Sequence, residues 1–174
     1  MSYEPYERLV APARVKSGIF RLIFGLLITI IIYAILLIIA GLLMTVFMGN
    51  VWVQHLTIPS GVLSPSQTLT ILGSFSFLII AVGLVAMLLH EQTIIELFGG
   101  LAMTSSQFLS AMRGLLIYIV ITIFFIFIFE EFDQQISVFL WLSLLPITLL
   151  LILIQVSAEE LLFRGYVQSQ LAAL

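Results

Sequence analysis

A chain of 174 residues that is 62% hydrophobic and only 9% charged, with a mean hydropathy of +1.27, lies far from the soluble balance of about a quarter charged residues. Its apolar residues fall in runs near the roughly 20 needed to cross a bilayer, which makes lipid the first partner of the chain. The net charge of −3, with no basic run and no basic patch interleaved with aromatics, argues against nucleic acid. The lack of cysteine excludes disulfides, a thiolate nucleophile and Cys-ligated metal or iron–sulfur sites.

In chain order, the first apolar run covers residues 22–48, about 27 residues or roughly 40 Å of helix, long enough to tilt or protrude. It exceeds the about 7 to 15 residues of a signal-peptide core, and no small-x-small site follows it closely. A loop with Pro59, Gly61 and Pro65 leads to the second run, 69–89. Residues 90–113 are mixed: Gly99-Gly100 reads as a break, and Ser105-Ser106 as N-caps of a short amphipathic helix with Phe108, Leu109 and Met112 on its apolar side. The third run, 115–129, is shorter. The fourth starts near Val138, carries Pro146 as an expected kink, and continues to Leu174. The expected fold is all-α: a polytopic membrane helical bundle of about four transmembrane helices in a single integral membrane domain, 1–174.

Cytoplasmic loops retain Lys and Arg. Arg8, Arg14, Lys16 and Arg21 precede the first span, which predicts a cytoplasmic N-terminus. Four spans then place loops 49–68 and 130–137, neither of which contains Lys or Arg, outside, and Arg113 and Arg164 inside.

The fourth run ends in QVSAEELLFRGYVQ, residues 155–168. On an α-helix Ser157, Glu160, Arg164 and Gln168 form one polar stripe, and Gln155 and Glu159 a second, about 100° round. Glu160 and Arg164 are then i, i+4 partners in the favoured order, whereas Glu159 has no such cation. Desolvation and a neighbouring carboxylate raise a carboxyl pKa and an Arg lowers it, so the two glutamates are expected to separate, with Glu159 the candidate general base. The plainer reading is structural: Glu–Arg pairs at this spacing are ordinary, and an Arg at a span end snorkels to the headgroups. Glu130-Glu131 is a second glutamate pair at a span end, but Gln135 occupies its Arg position and Asp133 adds negative charge, so it reads as a solvated cap.

With AEELLFRGYVQSQL in view, the chain resembles the CPBP family of intramembrane glutamic proteases, related to type II CAAX prenyl endopeptidases and bacteriocin-processing enzymes. Glu159, Glu160 and Arg164 match its EExxxR motif, and Phe163, Gly165, Tyr166 and Gln168 its FRGYxQ extension. Leu9 to Arg14, LVAPAR, and the segments LLH (Leu88, Leu89, His90) and LFG (Leu97, Phe98, Gly99) are similar to bacterial members. The resemblance makes residues 138–174 the N-terminal part of the family core. It implies a peptide or protein substrate cut near the cytoplasmic face of a bacterial inner membrane, with Glu159 activating water and Glu160 and Arg164 supporting it. The family places FxxxH and HxxxN/D motifs C-terminal to EExxxR, whereas the only histidines here, His55 and His90, come earlier. His55 belongs to an external loop, and His90 reads as an interfacial polar residue. The expectation is a front part of a longer frame, inactive alone. No cofactor is firmly implied, and a metal ion enters only through the family's naming. The alternatives are a non-catalytic membrane scaffold or a bacteriocin-immunity protein. Oligomeric state and substrate sequence leave no mark on these residues.

Other chemistries lack their residues. HEQTI at His90 places Ile94 where HExxH needs its second histidine, and Asp133 is the only aspartate. The Gly73-Ser74-Phe75-Ser76 stretch has no base on its side, and Gly99-Gly100 has no following Lys-Ser or Lys-Thr.

Overall fold

The computed structural model describes residues 7, 10–49, 63–99, 101–129 and 137–174. Arg8, one of the four cations behind the predicted orientation, lies outside the described residues, as do His55, Pro59, Gly61, Gly100, Glu130, Glu131, Asp133 and Gln135. What is described is all-α, with four helices long and apolar enough to cross a bilayer. A 3₁₀ turn, Pro12–Lys16, precedes α1 (Ile19–Met48); α2 (Pro65–His90) and the one-turn α3 (Ile94–Leu97) follow. Next come α4 (Leu101–Phe129) and α5 (Val138–Glu160), which runs straight into a π-helical segment, Leu161–Gln168, and a last turn, α6 (Ser169–Ala172).

Local chemistry accounts for the ends of these helices. Pro65 sits at the first turn of α2 behind a reciprocal cap, in which Ser64 Oγ accepts from the Gln67 N–H and the Gln67 side chain accepts from the Ser64 N–H at 2.8 Å. Replacing Ser64 with alanine is expected to lower stability by about 1 kcal/mol, read from thermal unfolding in detergent. At its other end α2 stops because Glu91 adopts a left-handed conformation, φ 56°, and the Gln92 N–H turns back to the Ala86 carbonyl at 3.1 Å. Thr93 and Glu96 repeat the reciprocal cap for α3. Gly99, φ 75°, then provides the expected break.

The amphipathic stretch after that break differs from expectation. Ser105 and Ser106 lie inside α4, which is one helix of 29 residues rather than a short helix followed by a span. The one glycine in its sequence is Gly114, and a lone glycine costs about 1 kcal/mol in a helix interior, too little to split two segments that both favour helix. Pro146 likewise lies inside α5: it withdraws one donor from the Leu142 carbonyl, and the chain stays helical past it.

The core centres on α2, which packs against α1 on one side and α5 on the other, with α3 and the π segment closing one end. Leu22, Val82, Val85, Ala86, Leu97, Leu161 and Tyr166 form its buried cluster. Ala81, Gly83 and Ala86 are small residues buried at different positions round α2, and small residues let helices approach each other closely in lipid. Most large apolar side chains point outward instead, Phe20 and Phe139 being more than 80% exposed, as expected where lipid tails are the solvent. Helix α4 packs no continuous face on the others, and none of its span Phe108–Ile126 is buried.

Candidate active site

The start of α1, the end of α2, the 3₁₀ turn, α3 and the π segment meet at one end of the bundle, and the glutamate motif lies there. Glu160 is the last residue of α5 and Arg164 lies in the π segment. Their charged groups are 3.7 Å apart, with side chains 56% and 69% exposed. This is the predicted pairing, loosened: hydrogen bonds running to the fifth residue widen the turn and draw position 164 off the α-helical stripe. An exposed pair of this kind contributes about 0 to 1 kcal/mol. Glu159 is exposed, and Oε1 of its carboxylate accepts a hydrogen bond from Gln155 Nε2 at 3.1 Å. The second polar stripe is therefore present, and the partner it gives Glu159 is a neutral amide.

His90, the last residue of α2, is buried inside the protein. It is 1% exposed and clasped on both edges, with Nδ1 3.0 Å from the Lys16 carbonyl and Nε2 2.9 Å from the Tyr166 hydroxyl. A carbonyl only accepts, so Nδ1 carries the proton, and in the neutral ring Nε2 accepts the Tyr166 O–H. The two rings meet edge to face with centroids 5.3 Å apart. With both nitrogens engaged, His90 hydrogen-bonds to neither Glu159 nor Glu160. The same junction joins Lys16 to Glu91 as an ion pair, Arg21 to the Lys16 carbonyl at 3.2 Å, and buried Gln170 to buried Gln92 at 2.8 Å.

Two glycines allow this closeness. A methyl on Gly25 would lie 2.0 Å from the Tyr166 oxygen, and one on Gly165 would lie 2.6 Å from the Leu97 carbonyl oxygen. The second clash is with backbone, which cannot swing aside. Gly165→Ala is therefore expected to cost about 1 to 3 kcal/mol of stability, measured by thermal unfolding in detergent.

The residues that sequence reasoning gave no role are buried polar ones: Gln92, Ser169 and Gln170, together with Tyr166, which entered only as a motif match. Their signal was present, because polar side chains beside apolar spans are costly unless paired within the protein. Pairing across 76 and 78 positions was not visible. Among the described residues no three His, Asp or Glu side chains gather into a set that could hold a metal ion. No protein-family model, curated protein or solved structure matches the chain.

Proposed function

We propose that this membrane protein is an intramembrane endopeptidase of the CPBP type, hydrolysing a peptide bond near the cytoplasmic face with water activated by Glu159. The observation that carries the reading is the asymmetry of the two adjacent glutamates. Glu160 stands beside the Arg164 guanidinium, whereas among the described residues Glu159 holds only the Gln155 amide. An acid whose one hydrogen-bond partner among the described residues is neutral keeps a lone pair for a water proton, and the paired neighbour supplies the charge that orients it. The π segment adjoining Glu160 adds support, since such wide turns within helices are frequent at functional sites. So does the gathering of Lys16, Arg21 and Arg164 at the motif's end of the bundle, the arrangement expected of a cytoplasmic face.

Peptide hydrolysis also needs a group to stabilise the oxyanion and protonate the leaving amine. His90 is committed to Lys16 and Tyr166 and does not serve. No histidine follows Glu159 among these 174 residues, so in this reading a group other than His90 takes that role. The rival reading, a non-catalytic membrane scaffold, draws on that same commitment of His90 to packing.

The test compares peptide termini in membranes of cells expressing the intact protein or its Glu159→Gln variant. Termini that appear only with the parent support the protease. Identical profiles favour the scaffold.

A further inference from the structure

The π segment is an unusual winding with identifiable causes. In an α-helix, residues five apart lie about 140° from each other. Leu161 and Tyr166 are five apart, as are Gly165 and Gln170, and all four are buried. Hydrogen bonds from i to i+5 bring the fifth residue back over the first, so the wide turn gathers onto one face groups that an α-helix would spread round much of its circumference. Tyr166 is at the centre of that face and is fully buried. Its hydroxyl is tied to His90 Nε2 at 2.9 Å, and His90 is itself fixed by the Lys16 carbonyl at 3.0 Å. The same hydroxyl occupies the space that a Cβ on Gly25 of α1 would fill, and the Leu97 carbonyl of α3 occupies the space that a Cβ on Gly165 would fill. The hydroxyl is therefore held by a hydrogen bond in a niche that the missing side chain of Gly25 opens. Glu160 lies before the wide turns and Arg164 within them, so the winding decides how the guanidinium stands against the carboxylate.

We propose that the His90–Tyr166 hydrogen bond sets the register of the π segment and thereby positions Arg164 against Glu160, beside the base Glu159. The consequence for catalysis rests on the protease reading; the control of winding does not. His90 and Tyr166 are positioning residues, since neither hydrogen-bonds to either glutamate.

The experiment uses the intact protein in liposomes, with single cysteines placed in turn at Gln168, which is exposed, and Ser169, which is buried. In the parent, the Gln168→Cys thiol reacts with a water-soluble maleimide and the Ser169→Cys thiol is protected. Adding Tyr166→Phe, which keeps the ring and deletes the hydroxyl, lets the segment rewind toward α turns and rotates the following residues by about 100° per residue of slip. The expected result is an exchange of reactivity, with position 169 gaining and position 168 losing. His90→Leu removes the same bond from its other end and gives the same exchange. An unchanged pattern in either variant, or a uniform rise at both positions, overturns the proposal, the latter because it signals loss of fold rather than of register. In the same preparations, Tyr166→Phe lowers kcat for a Glu159-dependent cleavage by about tenfold to hundredfold and leaves KM unchanged. If no Glu159-dependent cleavage exists, the protease reading fails while the labelling result still decides the control of winding.

Discussion

Gly25→Ala is expected to be the most damaging methyl group that can be added to any described glycine of this protein, and Tyr166→Phe is expected to rescue it. The added carbon would lie 2.0 Å from the Tyr166 oxygen and 3.2 to 3.3 Å from the next atoms, Tyr166 Cζ and Val85 Cγ1. Overpacking a tight core costs about 1 to 3 kcal/mol. Here the displaced hydroxyl also abandons a buried imidazole nitrogen, which adds about 1 to 3 kcal/mol. Tyr166→Phe alone carries the second cost without the first. In the double variant the atom that clashes is gone, and the remaining contacts need to give by only a few tenths of an ångström. The double variant is therefore more stable than Gly25→Ala alone, with a coupling of about 1 kcal/mol or more in a double-mutant cycle measured by unfolding in detergent. Additive losses would mean that Tyr166 does not occupy this position against α1.

The second large effect concerns catalysis. If Glu159 takes the proton from the attacking water, Glu159→Gln keeps the size of the side chain and its contact with Gln155 but removes the basic lone pair. General-base catalysis contributes typically about 10² to 10⁴-fold, and cleavage by the intact protein should fall by at least the lower figure. Gln155→Ala removes only a neutral donor at 3.1 Å on an exposed carboxylate and should change the rate less than tenfold, the scale of one modest hydrogen bond of about 1 kcal/mol. Equal losses in the two variants would assign Glu159 a packing role.

The spans were legible in the amino-acid sequence because bilayer thickness imposes a length and lipid imposes an apolar composition. The runs 22–48 and 69–89 lie inside Ile19–Met48 and Pro65–His90, the extra residues being contributed by end chemistry such as the Ser64 cap. Residues 101–129 were harder, because local signals at Ser105-Ser106 suggested a start that an unbroken helix overrides. The Glu160–Arg164 pair followed from spacing, but its looseness did not. Winding in the π segment depends on His90 and Gly25, groups 76 and 141 positions from Tyr166, and no local propensity encodes them. His90 was legible as a polar residue at a span end, but its burial was not. Its partner is a tyrosine far along the chain, and only the fold brings the two together.

The central claim is that the acid at position 159 meets water at the cytoplasmic boundary. With no native cysteine in these 174 residues, one introduced thiol reports on one place. Glu159→Cys in the intact protein should react with a membrane-impermeant thiol reagent applied from the cytoplasmic side, whereas Val156→Cys, on the outward apolar surface of α5, should stay unlabelled. A thiol at 159 as inert as the one at 156, or reached only from the opposite side, would contradict the account.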